Sequence, residues 1–513
     1  MRPVAMNYPE HEQRPHTLRL RRLGIDTYQE AVIYMRRDCH VCRAEGFEAQ
    51  TRVEVHLNGR MLVATLNVVD SELLAPDEAG LSEAAWRRLN ARPGDVVALA
   101  HLAPLESLRH VRAKVYGHKL AGDAVQAIVS DVAAGLYSDI ELAAFITACA
   151  GARLDLGETI ALTRAMIEVG ERLSWNYPPV VDKHCVGGLP GNRTTLIVVP
   201  IVAAFGLTMP KTSSRAITSP AGTADVMETL TEVKLDVPAM RRVVEREGGC
   251  IVWGGAMRLS PADDVLIRVE RPLDLDSEGQ LVASILSKKV AAGSSHVVID
   301  IPVGETAKVR STQAAQTLSA LLVEVGHAVG LTVHTVITDG AQPVGRGIGP
   351  ALEARDVLAV LRQEADASAD LRERALRLAG TVLAFAPGIS PGEGARLARE
   401  ILEDGRAWNK FEAICAAQGG LRELPVAAYM HVVKAVQSGR VTEIDNRRLA
   451  RVAKLAGAPR APAAGLKLHT PLGLTVEKGQ PLFTVHAETP GELAYALNYV
   501  ALQPGIVYVE AET

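Results

Sequence analysis

After Pro179 the chain alternates short apolar runs with longer apolar segments. The runs at 296–303 and 331–339 have the length of buried strands, whereas the segments at 195–206 and 311–329 have the length of helices. Such alternation is typical of a mostly parallel sheet that helices cover on both faces. Ligands of these sheets bind at the carboxyl ends of the strands, so the polar residues that follow the runs are the first candidates for a functional site.

The sequence on either side of this region predicts further domains. Apolar and polar residues alternate around Asn58-Gly59, which indicates a β-hairpin in a small barrel or sandwich. Amphipathic helical spacing begins near residue 104, and the 513-residue chain is long enough for several cores. We therefore predict an α/β multidomain protein with a β-rich N-terminal domain (1–102), a helical domain (104–175, with about 262–292 returning to it), an α/β domain (176–427) and a small α+β C-terminal domain (428–513).

Composition excludes several function classes. A net charge of −4 and an aromatic content of 4% argue against a nucleic acid polymer as partner, which needs a basic face and stacking rings. The sequence predicts no transmembrane helix and no secretory signal, and its six scattered cysteines fit a reducing, cytoplasmic compartment. Cys39 and Cys42 lack a second ligand pair at zinc spacing, so we expect a hairpin corner or inert thiols there.

The first polar cluster is Asp182-Lys183-His184-Cys185-Val186-Gly187-Gly188, directly after an apolar run. A lysine and two glycines at a strand end suit a phosphate, because backbone N–H groups approach an anion closely where no Cβ intervenes. A tight turn with an exposed lysine is the alternative interpretation.

The second cluster spans 211–225 and is rich in serine, threonine and cations, with a helix predicted from Ala224. Hydroxyl and N–H groups at a helix N-terminus form an anion site. The alternative is a polar loop in which Thr223 only caps the helix. A third cluster, expected at another strand end, brings Asp274, Asp276, Ser284 and Lys288 into one stretch, although such charges more often form a solvated face.

These clusters carry a family resemblance. The motifs D-K-H-x-x-G-G (182–188), S-S-R-A-I-T-S-P-A-G-T-A-D-x-x-E (213–228), A-S-I-L-S-K-K (283–289) and T-D-G-A-Q-P-V-G-R-G-I-G-P-A-L-E (338–353) resemble those of the thymidine phosphorylase family. The similarity is greatest to the branch that contains archaeal AMP phosphorylase and bacterial type 2 thymidine phosphorylases. It covers about residues 105 to 513, and the extra N-terminal domain also matches that branch.

The resemblance implies a fold of the nucleoside phosphorylase/phosphoribosyltransferase type, a homodimer or higher homo-oligomer, and domain closure during catalysis. It also implies a reaction in which inorganic phosphate is the co-substrate and no cofactor or metal takes part. The phosphate ligands that it implies are Lys183, Cys185, Thr195, Ser213 and Thr223. Cys185 departs from the family pattern, which usually has serine there, so its hydrogen bond to phosphate is in doubt.

On the base side the resemblance implies contacts from Ser284, Lys288 and His184. Thymidine phosphorylases clamp the pyrimidine with a tyrosine and an arginine, but this chain has Ile267 and Glu270 at those positions. By similarity to AMP phosphorylase, a nucleotide would instead be bound by Gly188, Ser214, Arg215, Ala216, Ile217, Thr218, Ser219, Thr223, Ser284 and Lys308. Asp276 would then protonate the leaving base.

The expected activity is therefore phosphorolysis of a nucleoside 5′-monophosphate such as AMP, which gives free base and ribose 1,5-bisphosphate. One alternative is a thymidine or pyrimidine-nucleoside phosphorylase that gives base and (deoxy)ribose 1-phosphate. A phosphoribosyltransferase would need a pyrophosphate loop and usually Mg²⁺, and the sequence has no acidic cluster placed for it. A non-catalytic nucleotide-binding protein is the alternative from another class.

Overall fold

The computed structural model describes residues 16–216, 219–273, 275 and 277–511, except the side chain of Arg271. The chain divides into two compact units, residues 1–148 and 149–513. Within the described ranges, no helix is both long enough and apolar enough to cross a bilayer.

The first unit begins with a closed β-barrel. Its strands are β1 (Thr17–Arg22), β2 (Val32–Arg36), β3 (Arg52–Leu57), β4 (Arg60–Val69), β5 (Glu78–Leu81) and β6 (Val96–His101), in the order β1-β5-β2-β4-β3-β6. Asn58 and Gly59 both have positive φ and close the β3–β4 hairpin, which confirms the predicted turn. Alternate residues of β3, such as Val53 and Val55, point into the barrel core because side chains alternate across a strand.

The helices of this unit are α1 (His40–Glu45), α2 (Glu83–Leu89), α3 (Leu108–Val115), α4 (Gly122–Ala133) and α5 (Asp139–Cys149, which ends at the unit boundary). Ser138 and Glu141 form the predicted capping box at the start of α5. The expected hairpin corner at Cys39 and Cys42 was wrong. Cys39 precedes α1, and its Sγ accepts a hydrogen bond from the N–H of Cys42 at 3.2 Å, so the pair starts a helix.

The second unit contains the predicted parallel sheet. Its elements run α6 (Leu156–Glu168), β7 (Val181–Cys185), α7 (Thr195–Phe205), β8 (Met209–Ser213), α8 (Thr223–Glu228), α9 (Val237–Glu247), β9 (Gly249–Trp253), α10 (Pro261–Leu273), α11 (Glu278–Ala291), β10 (His296–Val303), α12 (Thr312–Ala328) and β11 (Thr332–Asp339). The strands pair in the orders β11-β10-β7 and β8-β9, all parallel, and a parallel bridge between Val180 and Thr208 joins the two groups. This arrangement confirms the predicted fold class.

The segment that forms α7 is apolar on all sides, and its burial explains why it is a helix. Its residues from Leu196 to Val202 are fully buried, including Pro200, and they pack against strands and helices on every side. A helix that is apolar all round belongs in the centre of a domain. The N-terminus of α7 is therefore fixed firmly at the carboxyl end of β7. Helices α10 and α11 pack against α6.

The remainder of this unit is helical and then α+β. Its elements are β12 (Gly347–Ile348), α13 (Pro350–Leu361), α14 (Ala369–Leu383), α15 (Pro391–Glu403), α16 (Arg406–Ala417), β13 (Tyr429–Lys434), β14 (Gly439–Ile444), α17 (Asn446–Leu455), β15 (Gly465–Leu468), β16 (Thr475–Val476), β17 (Pro481–Ala487), α18 (Pro490–Leu502) and β18 (Val507–Glu510). Two small sheets form, β12-β15-β17-β13 and β16-β14-β18. Strand β12 comes from the glycine-rich motif at 345–349 and pairs with β15.

Candidate functional site

The first loop, residues 186–194, connects β7 to α7 at the carboxyl end of the sheet. Lys183 lies in β7 directly before it, is 1% exposed, and donates from Nζ to Thr194 Oγ1 at 2.6 Å. Burial lowers the pKa of Lys183, and the charge of Asp300 opposes this shift. In the described ranges no carboxylate lies within 4 Å of the Lys183 ammonium. A buried cation without a paired anion favours the binding of one.

Cys185 lies at the end of β7 and faces the same loop. Its Sγ accepts hydrogen bonds from Asn192 Nδ2 at 3.3 Å and from the N–H of Gly187 at 3.5 Å. Burial raises the pKa of Cys185 to about 11, so the group is a neutral thiol at physiological pH. Since a thiol is a weak hydrogen-bond donor, a contact from Cys185 to phosphate would be weaker than one from serine.

A buried ion cluster links the elements that surround the first loop. Asp182 accepts from Lys289 Nζ at 2.7 Å and lies 3.1 Å from Lys211 Nζ, and all three side chains are buried. Burial alone would raise the pKa of Asp182, but the two lysine charges prevail and lower it. The cluster therefore ties β7, β8 and α11 together beneath the candidate site.

His184 lies beside these lysines. Burial, followed by the charges of Lys289, Lys211, Lys288 and Lys183, lowers the pKa of His184 well below its usual value. The imidazole is therefore neutral at physiological pH. A neutral imidazole donates one hydrogen bond and accepts another, which suits contact with a polar heterocycle.

The second loop, residues 214–222, connects β8 to α8. Ser213, at the end of β8, is 8% exposed, and its Oγ has no hydrogen-bond partner in the part of the chain that the structure describes. An unsatisfied buried hydroxyl is costly and calls for an external partner. Thr195 and Thr223 open α7 and α8, where helix N-termini favour an anion.

The shape of the second loop depends on Asp225. Its Oδ2 accepts from the N–H groups of Ala216 at 2.7 Å and Gly222 at 2.8 Å. Its Oδ1 accepts from Arg215, which also makes a bidentate pair with Glu228 at 2.6 and 2.8 Å. Two carboxylates thus hold the guanidinium of Arg215, which therefore shapes the loop, and its predicted contact with nucleotide stays a prediction.

The other predicted nucleotide ligands of this loop have simpler positions. Ser214 is exposed, and Ser219 Oγ donates to the carbonyl of Ala221 at 2.8 Å. Ile217 and Thr218 lie outside the described residues.

Arg193 joins the first loop to the second. Its Nε donates to the carboxylate of Glu353 in α13, its Nη2 to the carbonyl of Ala221 at 2.9 Å, and its Nη1 to Thr223 Oγ1 at 3.1 Å. Glu353 also accepts from the N–H of Gly349 at 3.0 Å. Three segments that are distant in sequence therefore meet at one guanidinium.

The third predicted cluster does not follow a strand, so that expectation was wrong. Residues 261–273 and 278–291 form the helices α10 and α11, because their apolar residues repeat at helical spacing. Asp274 and Asp276 fall between the two helices and lie outside the described residues. The predicted catalytic role of Asp276 stays a prediction.

Helices α10 and α11 present opposite charges to each other. Lys288 Nζ lies 2.6 Å from the buried carboxylate of Asp263 and donates to Ser284 Oγ at 3.2 Å. Ile267 and Glu270 follow Asp263 on the same face of α10 at i+4 and i+7. Burial and the charge of Asp263 raise the pKa of Glu270 to about 7, whereas Lys308 and Lys288 oppose the rise.

Lys308 lies beyond β10, and its backbone packs against Gly188 of the first loop. Gly188 has φ +80°, and a Cβ there would come within 2.5 Å of the backbone N of Lys308. Only glycine permits this approach. The side chain of Lys308 is exposed, and in the described ranges no carboxylate lies within 4 Å of it.

The structure thus places Lys183, Cys185, Ser213 and the N-termini of α7 and α8 at the carboxyl ends of β7 and β8. Several residues that shape this site were given no role from the sequence. Asn192, Arg193 and Asp300 lie outside the polar clusters and the motifs, whereas Asp182, Lys211, Asp225, Lys289 and Glu353 lie within them. Their contacts could not be predicted, because most of these residues pair with residues of distant segments.

Comparison with known proteins identifies three matching family domains. Residues 109–170 match the glycosyl transferase family helical bundle domain, residues 177–408 its a/b domain, and residues 440–503 the pyrimidine nucleoside phosphorylase C-terminal domain. These matches fall within the predicted helical, α/β and C-terminal domains, whose exact boundaries stay predictions.

Two solved structures share the fold. The anthranilate phosphoribosyltransferase of Thermus thermophilus superposes with a TM-score of 0.51 over 60% of this chain and 98% of that chain, at 21% identity. The enzyme of the same name from Saccharomyces cerevisiae superposes with a TM-score of 0.50 over 62% of this chain and 99% of that chain, at 13% identity. At these identities the likeness concerns the fold alone.

Whole-chain relatives are much more similar. A protein of Polaromonas sp. named "Putative thymidine phosphorylase" is 68% identical over 96% of this chain and 97% of its own length. A protein of the same name from Legionella pneumophila (strain Corby) is 60% identical over 96% of this chain and 95% of its own length. The resemblance drawn from the motifs is confirmed. The chain therefore belongs to the thymidine phosphorylase family, and it is an enzyme of the pentosyltransferase type.

Proposed function

We propose that this enzyme uses inorganic phosphate to cleave the N-glycosidic bond of a nucleoside 5′-monophosphate such as AMP. The products are the free base and ribose 1,5-bisphosphate. The observation that carries the proposal is that, within the described residues, two lysines without a carboxylate within 4 Å lie at the first loop. Lys183 in β7 contacts Thr194, and the backbone of Lys308 packs against Gly188. A nucleoside needs one anion site, for the attacking phosphate, whereas a nucleotide needs a second for its 5′-phosphate.

The charge on α10 also supports a nucleotide with an amino-bearing base. Glu270 takes the place of a cation that would donate to a pyrimidine carbonyl, and a carboxylate repels such an oxygen. Adenine has an amino group and ring nitrogens instead. A carboxyl group near its pKa can accept a hydrogen bond from the amino group when ionised and donate one to a ring nitrogen when protonated.

In the reaction a phosphate oxygen forms a bond to C1′ while the bond from C1′ to the base nitrogen breaks. The electron pair of that bond moves onto the base, and the sugar gains oxocarbenium character. Bound phosphate at Lys183 and Ser213 stabilises the positive sugar by proximity. Asp276 supplies a proton to the leaving base, and Lys288 relieves its negative charge.

A second candidate is phosphorolysis of a pyrimidine nucleoside. The C-terminal match to a pyrimidine nucleoside phosphorylase domain and the names of the relatives favour it. Under either proposal phosphate is the co-substrate, no metal or cofactor takes part in the chemistry, and the enzyme works as a homodimer or higher homo-oligomer.

The test is the release of free base from AMP, CMP, UMP, adenosine, uridine and thymidine, with and without inorganic phosphate. We expect phosphate-dependent release from a monophosphate and formation of ribose 1,5-bisphosphate. Turnover of thymidine or uridine alone would favour the pyrimidine-nucleoside candidate. Binding of nucleotide without release of base from any of these compounds would contradict both candidates.

A further inference from the structure

Arg193 is a buried arginine that no motif singled out. It lies between β7 and α7 with a side chain that is 11% exposed, and its partner Glu353 is 1% exposed. Burial raises the pKa of Glu353, but the charge of Arg193 and the N–H of Gly349 oppose that rise. A buried ion pair of this kind contributes little net stability compared with an apolar pair, so its presence at this position suggests another role.

The contact with Thr223 indicates that role. The guanidinium has only donors, so Thr223 Oγ1 must accept in its 3.1 Å bond to Arg193 Nη1. The single proton of the Thr223 hydroxyl is not used in this bond, so it can form a hydrogen bond with a second acceptor. An anion bound beside Thr223 would accept it.

The second donor of Arg193 fixes the backbone next to that hydroxyl. Nη2 binds the carbonyl of Ala221 at 2.9 Å, two residues before Thr223. Glu353 fixes the guanidinium in turn, and its other oxygen is held by Gly349 N–H at 3.0 Å. The planar fork of arginine is needed here, because the ammonium of lysine cannot reach three acceptors in these directions.

We propose that Arg193 is a positioning residue for the attacking phosphate, which it serves by orienting the hydroxyl of Thr223, and that Glu353 holds Arg193 in place. This inference rests on the proposed function only in taking phosphate as the co-substrate. It does not depend on which nucleoside or nucleotide is cleaved.

The first variant is Arg193→Lys, which keeps a cation beside Glu353 but loses the fork. We expect a melting temperature near that of the wild type and a KM for phosphate raised roughly tenfold or more, the value of one charge-assisted hydrogen bond. The KM for nucleotide should rise less than the KM for phosphate, because Thr223 is only one of ten predicted nucleotide contacts. A merely structural role would lower the melting temperature and leave the KM for phosphate unchanged.

The second variant is Arg193→Met/Glu353→Met, which removes both charges and so avoids a buried, unpaired carboxylate. It should fold and show the same rise in the KM for phosphate. Adding Thr223→Val should increase that KM by no more than about twofold, because residues that act through one contact are not additive. The matched control is Arg399→Met/Glu373→Met, an exposed arginine–glutamate pair, which should leave the KM for phosphate unchanged.

Phosphate binding is measured separately, as the rise in melting temperature with inorganic phosphate in the absence of nucleotide. The inference is overturned if the Arg193 variants respond to the same phosphate concentrations as the wild type, or if the effects of the Arg193 and Thr223 changes multiply. A wild-type protein that releases base with phosphate only from nucleosides, and not from monophosphates, would overturn the proposed function and leave the inference standing. No response of the wild type to phosphate would overturn both.

Discussion

The carboxylate of Asp182 neutralises two buried lysines, and Asp182→Asn would remove that charge with little change in shape. Loss of one partner from a buried ion pair costs about 3–5 kcal/mol. This cost arises for one lysine and not for both, because burial lowers the pKa of Lys289 and allows that side chain to lose its proton. For a domain of about 150–250 residues this cost corresponds to a melting temperature lower by roughly 6–20 °C at pH 7.

The pH dependence of this loss identifies its cause. A lysine whose folded-state pKa lies below its unfolded value binds fewer protons when folded, so stability rises with pH. Without Asp182 the pKa of Lys289 should fall further. The melting temperature of Asp182→Asn should therefore lie furthest below that of the wild type near pH 6, and the difference should become smaller towards pH 9.

Differential scanning fluorimetry across this pH range measures both quantities. Glu373→Gln is the control, since it breaks an exposed pair with Arg399 and should shift the melting temperature by about 2 °C or less. A melting temperature of Asp182→Asn within about 2 °C of the wild type would refute the argument, and so would a deficit that does not vary with pH.

Three further predictions concern activity. Cys185→Ser replaces a weak donor by a stronger one, so the KM for phosphate in a base-release assay should fall about two- to tenfold; an unchanged KM would show that this side chain does not contact phosphate. Since the pKa of Glu270 is about 7, kcat/KM of the wild type for nucleotide should bend near pH 7, and Glu270→Gln should remove that bend; a bend that persists would assign it to another group. Dialysis against EDTA should leave base release unchanged, and activity that returns only with Mg²⁺ would contradict the metal-free reaction.

The sequence predicted those parts of the fold that depend on local patterns. The strand-length runs at 296–303 and 331–339 became β10 and β11, and Asn58-Gly59 became a tight hairpin. These features follow from side-chain periodicity and turn preferences, which neighbouring residues determine. The whole-chain family resemblance rested on long motifs and was equally accessible.

The parts that could not be predicted depend on contacts between distant segments. Arg193 pairs with Glu353 across 160 residues, and Asp182 with Lys289 across 107. Asp182, Lys289 and Glu353 lie in the family motifs, but nothing in the local sequence shows which partner each of these charges has. The third cluster was expected at a strand end, although the predicted domains already placed about 262–292 with the helices, and the structure has two helices there.

The glycine-rich turn at 345–349 determines how the C-terminal region (428–513) can be exchanged in a chimera. Strand β12 completes its pairing through β15 of the C-terminal region, and a Cβ on Gly349 would collide with the carbonyl of Ala464. The C-terminal region is thus built around a turn that belongs to the α/β segment. A chimera that exchanges this region between relatives should carry the 345–349 turn with it, because β12 pairs with β15 and Gly349 packs against Ala464.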